Sequence, residues 1–109
     1  NLLNPDAFIV EQNIQRYLAT GKLDSDYVLS LSADAMPPLM AHLDQLQTYE
    51  RIKIGGVLRF QKDALYAELS SAPWPSYHWG RKQAVDALTA QQDTLNQYPA
   101  VRPSRRPVN

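Results

Sequence analysis

Three features of this 109-residue chain predict an all-α fold: helix-start chemistry recurring through its first third, apolar residues spaced three and four apart, and glycine or proline punctuation between those segments. The expected architecture is four or five short helices packed as consecutive helical hairpins. They form one domain over residues 1–98, followed by a flexible, basic Pro/Arg tail at 99–109. A single core is what so short a chain can stabilise, because surface-to-volume scaling leaves too little apolar area for a second.

Asn4-Pro5-Asp6 reads as a helix start. The asparagine side chain can accept a backbone N–H at the N-cap, the proline lacks a donor where none is needed, and the acid faces the positive end of the helix dipole. Ala7, Val10, Ile14, Tyr17 and Leu18 then form an apolar stripe, and Gly21 ends the helix. Asp24 can cap a short second helix carrying Tyr27, Val28 and Leu31. With Asp34 as the next cap, Pro37 and Pro38 fall in a first turn, where missing donors cost little. Met36, Leu39, Met40, Leu43 and Leu46 supply the buried stripe of this third helix.

The pattern is interrupted near Gly55-Gly56. Residues 51–60 read either as helix or as a hairpin, since Arg51 to Ile54 and Val57 to Phe60 alternate polar and apolar residues about the glycines. Val57, Phe60, Ala64 and Ala67, flanked by Leu58, Leu65 and Leu69, resume helical spacing up to Ser70-Ser71. Pro73-Trp74-Pro75 is a stiff connector, and Ser76 can cap a last helix with Arg81, Ala84, Val85, Leu88 and Leu95 along it, ending near Tyr98-Pro99. The remaining residues have almost nothing to bury.

Composition narrows the function classes. Eleven basic and eleven acidic side chains give net charge zero, so no global field draws the domain to nucleic acid. The absence of cysteine removes disulfide frameworks, thiolate nucleophiles and cysteine-based metal centres. No apolar run approaches the roughly 20 residues that cross a bilayer. The fragment is expected to be soluble, and a start at Asn1 without a leader pattern suggests a piece excised from a longer chain.

Asn4 to Ala7, Leu23 to Tyr27, Leu31 to Pro37 and Tyr77-His78-Trp79-Gly80-Arg81, in that order, resemble elements of a bacterial membrane-protein family. It is the domain-of-unknown-function family four-one-seven-three, with its relative four-one-five-three. The resemblance covers discontinuous pieces of about residues 4 to 90. It implies a C-terminal soluble domain that follows the spans of a multi-pass membrane protein. The His78-Trp79-Gly80 context before Arg81 departs from the family pattern as we know it.

Trp74, Tyr77, His78, Trp79 and Arg81 form the densest aromatic group and are the candidate binding residues, since tryptophan and arginine dominate interaction hot spots. The structural reading has the tryptophans anchoring the last helix and Arg81 paired to an acid. Asp24, Asp26 and Asp34 lack the spacing of a calcium loop, and capping is the favoured role for Asp24 and Asp34. His42 and His78 lack the further ligands that a zinc site needs. Arg102, Arg105 and Arg106 could touch phospholipid head groups but are too few to anchor alone. No catalytic residue, cofactor or metal is expected. The partner is the transmembrane region of the parent chain or another protein, with no nucleic acid and no small-molecule ligand. The alternative is a free-standing helical-repeat-like adaptor that binds a peptide.

Overall fold

A computed structural model of the chain describes residues 5–71 and 79–103. Among them every regular element is helical: α1 (Pro5–Thr20), α2 (Ser25–Leu29), α3 (Met36–Ala41), α4 (Thr48–Ser70), α5 (Trp79–Thr89) and α6 (Gln92–Leu95), with 3-10 turns at Ala33–Ala35 and Leu43–Gln45. The fold is all-α as expected. Among the described residues there are six α-helices, because the expected last helix is divided into α5 and α6, while the third keeps one α-helical piece and the stretch left open is part of a continuous α4.

Asn4, the expected cap, lies outside the described residues; from Pro5 to Gly21, α1 follows its sequence signals. Val10, Ile14 and Tyr17 are buried, and Gly21, at φ 75°, donates its N–H to Tyr17 O at 2.7 Å to close the helix in the left-handed conformation. Leu18 sits at the flank of the stripe and stays half exposed. α2 is capped by Asp24, whose Oδ1 accepts from the Tyr27 N–H at 3.0 Å. The next cap is Ser32, not Asp34: Ser32 Oγ accepts from the Asp34 N–H at 3.3 Å and opens the Ala33–Ala35 turn that leads into α3. Pro37 and Pro38 do lie in the first turn of α3.

The expected third helix is broken after Ala41. Its whole stripe is nevertheless buried, with Leu43 and Leu46 supplied by the following 3-10 turn and its end. Spacing of three suits a 3-10 turn as well as an α-helix, so apolar periodicity could not separate them.

α4 runs unbroken through Gly55-Gly56, which overturns the hairpin reading of residues 51–60. The glycines are there for close approach, not for a turn. A Cβ on Gly55 would lie 2.7 Å from Tyr98 Cδ2, and one on Gly56 would lie 2.5 Å from Pro99 O and 2.6 Å from Val101 Cγ2. The chain after α4 returns antiparallel to it, since Arg81 meets Glu68, Lys62 meets Gln92, and Tyr98 meets Gly55. A break at Ala90–Gln91 separates α5 from α6. Residues 99–103, assigned from sequence to the tail, lie along α4. Val101 N–H donates to Gly56 O at 3.0 Å, Arg59 Nη1 donates to Tyr98 O at 2.7 Å, and Arg102 stands 5.7 Å over the Phe60 ring.

The core draws on all six helices: Ile14, Val28, Leu39, Ile54, Leu58, Leu88 and Leu95 are all fully buried. Burying each such side chain contributes about 1.5–3 kcal/mol. Packing is not restricted to sequence neighbours. α5 packs on α3 and the Ala33–Ala35 turn as well as on α4, and α1 packs on α3. In a helical-repeat array each unit touches only its neighbours. Two polar groups are built into this core. Tyr17 Oη accepts the Gln47 N–H at 2.7 Å where α4 begins, and buried Lys62 is held by Gln92 Oε1 and by Asp63 Oδ1 at 2.6 Å.

Candidate functional site

Gln61, Ala64, Leu65 and Glu68 recur at helical spacing on one face of α4. Leu31, Ser32, Ala33 and Met36 stand across from them, and Arg81 of α5 closes one end. Together they line a groove of about 280 Å³ with an apolar floor and a polar rim. It is somewhat smaller than the roughly 300–1,000 Å³ of ordinary small-molecule sites. Arg81 Nη1 donates to Glu68 Oε1 at 2.7 Å, and both side chains remain about half exposed.

The Leu31–Met36 wall is fixed from behind. The Ser32 N–H donates to Asp6 Oδ2 at 2.9 Å. Hydrogen bonds from the Ser32 side chain first and its backbone second hold the Asp6 carboxyl below its ordinary value, against a smaller opposing effect of burial. Asp34 reaches α5, where a Cβ on Gly80 would lie 2.7 Å from its Oδ1. The Asn-Pro-Asp start and the Leu-Ser-Ala-Asp-Ala-Met-Pro element are therefore joined: Asp6 of one binds Ser32 of the other.

Of the residues nominated from sequence, Arg81 lies in the groove and has the acidic partner that its structural reading expects. Trp74, Tyr77 and His78 lie outside the described residues, and Trp79 is placed by its backbone alone as the first residue of α5. The three aspartates are not gathered: Asp24 caps α2, Asp26 Oδ1 accepts from Lys53 Nζ at 2.8 Å, and Asp34 faces Gly80. His42 faces Glu11 and Gln45. Among the described residues no group of three or more His, Cys, Asp or Glu could hold a metal ion. Arg102 is engaged with Phe60, while Arg105 and Arg106 lie outside the described residues.

The groove residues of α4 were not nominated from sequence. They lie in the stretch after Val57 that already reads as helical, but the Leu31–Met36 segment that stands across from them is brought there only by tertiary packing.

Residues 1–42 match the family described as Domain of unknown function (DUF4153). The matched segment runs from the chain start to His42, and so includes α1, α2, α3 and the Leu31–Met36 wall of the groove. No curated protein and no solved structure matches the chain. Among the described residues no helix is long and apolar enough to cross a membrane.

Proposed function

We propose that this chain is a non-catalytic C-terminal domain of a multi-pass bacterial membrane protein, which docks a partner in the groove between α4, the Leu31–Met36 segment and Arg81. The partner is the membrane-embedded part of the parent chain or a second protein. The observation that carries the reading is a coincidence of place. One wall of the groove comes from the family-matched segment, and its end is Arg81, nominated from sequence as a binding residue. The membrane setting rests on the resemblance to family four-one-seven-three and on the match to its relative. A non-catalytic role fits the chemistry of His42, whose two ring nitrogens are both taken up by structural partners. The adaptor alternative is weakened by the packing of α5 on α3 and the Ala33–Ala35 turn.

Photo-crosslinking in the intact parent protein tests this. A crosslinking residue at Ala64 should give an adduct that mass spectrometry maps to a membrane-spanning segment or to one discrete partner. The same residue at exposed Tyr49, on the other half of α4, should give none. Equal labelling from both positions contradicts docking at the groove.

A further inference from the structure

We infer that the contact of Glu11, His42 and Gln45 is a pH-sensitive latch that holds α1 onto the bundle. His42 lies at the break after α3, with Nε2 2.7 Å from Glu11 Oε1 of α1 and Nδ1 2.5 Å from Gln45 Oε1. Both neighbours are oxygens. A neutral imidazole has one N–H and one bare nitrogen, so only the imidazolium donates to both. The charged groups acting on the ring are Glu11 from α1 and Asp44 from its own turn, both acidic. Burial pulls the ring downward, but the acceptors Gln45 and Glu11, with the charges of Glu11 and Asp44, outweigh it and raise His42 above its ordinary value.

When the ring loses its proton, one nitrogen faces an oxygen lone pair. Gln45 relieves this by turning its amide to present an N–H. Glu11 has no such option, because a carboxylate only accepts, so the charge attraction across the α1–α3 junction is lost. Other polar ties of α1 to the bundle include Asp6 to Ser32 and Tyr17 to Gln47. Asp6, held below its ordinary value, keeps its charge near neutral pH. His42 is therefore the tie that switches there. A raised folded-state pKa makes the sign definite: the stabilisation is full below the ordinary histidine value and disappears as pH rises through the raised one. The latch is independent of whether the groove binds a partner.

Amide hydrogen exchange by NMR, corrected for intrinsic rates, tests it from about pH 5.5 to about pH 8.5. Opening of α1 relative to Ile54–Leu58 of α4 should increase about threefold with pH, the size expected of a partly exposed ion pair. The increase should vanish in His42→Gln and in Glu11→Gln, and persist in His78→Gln. The His42 ring should titrate above a free imidazole in the native chain and lower in Glu11→Gln. A flat ratio of α1 to α4 opening contradicts the latch, as does an unchanged rise in His42→Gln. If either variant fails to fold, a native His42 ring titrating at or below free histidine overturns the inference by itself.

Discussion

The two halves of α4 differ: past an exposed start at Thr48, Tyr49 and Ile52, the N-terminal half holds an enclosed turn, whereas the C-terminal half is largely open. Residues 54–58 are all buried, and five consecutive residues sweep more than a full helical turn, so this stretch is surrounded. Beyond Leu58 only Lys62 is buried, while Ala64, Tyr66 and Ala67 are exposed. One helix thus serves as the axis of the core at its centre and as one wall of a surface groove toward its end. Shape decides what the first half accepts. Solvent makes the second half permissive, and it is there that a partner can be received without dismantling the fold.

The largest effect is expected from truncation in the enclosed half. Leu58→Ala removes a fully buried side chain and should cost about 2–5 kcal/mol in chemical denaturation, whereas Leu65→Ala in the open half should cost well under half as much. Next comes the entry to the enclosed half. Tyr17→Phe deletes the acceptor of the Gln47 N–H and should cost about 1 kcal/mol, with α1 and α4 loosened together in hydrogen exchange.

A smaller effect is expected behind the groove wall. The folded-state pKa of Asp6 is depressed, so its contribution is present above the unfolded value and is lost as pH falls through the folded one. Because Asp6 is only partly buried and screened by solvent, Asp6→Asn should lower stability at neutral pH by only about 0.2–0.5 kcal/mol. The difference from the native chain should close in acid denaturation. Smallest of all is Ala64→Lys, at an exposed groove position. Stability should stay within about 0.5 kcal/mol of native, while the crosslink from a probe placed at Gln61, on the same face, is lost.

The ends of α1 were legible because their signals are local: Pro5 sets the backbone at its own position and Gly21 closes the helix onto Tyr17, one turn back. Asp24 was legible for the same reason. Ser32 and Asp34 are both good caps two residues apart, and the choice between them depended on Asp6 and Gly80, which are distant in sequence. Gly55-Gly56 was the hardest feature to read. Within α4 the pair lowers helix propensity, and what compensates is Tyr98, Pro99 and Val101 pressed against them, more than 40 residues downstream. The groove was hidden for another reason: Arg81 could be nominated for its chemistry, but Ala64 and Leu65 carry no such signal and become a groove wall only when the Leu31–Met36 segment packs across from them.

The seating of the C-terminal segment on the α4 glycines is the claim on which the rest depends, and paired urea denaturation of Gly56→Ala and Gly80→Ala tests it most directly. Alanine in a helix interior is favoured over glycine by roughly 1 kcal/mol. At Gly56 the new methyl meets the backbone oxygen of Pro99, which cannot turn aside, and overpacking of this kind costs about 1–3 kcal/mol. At Gly80 it meets only the carboxylate end of Asp34, which can. The account predicts a lower midpoint for Gly56→Ala and a native or higher one for Gly80→Ala. A Gly56→Ala variant more stable than the native chain would mean that residues 98–101 are not seated on α4.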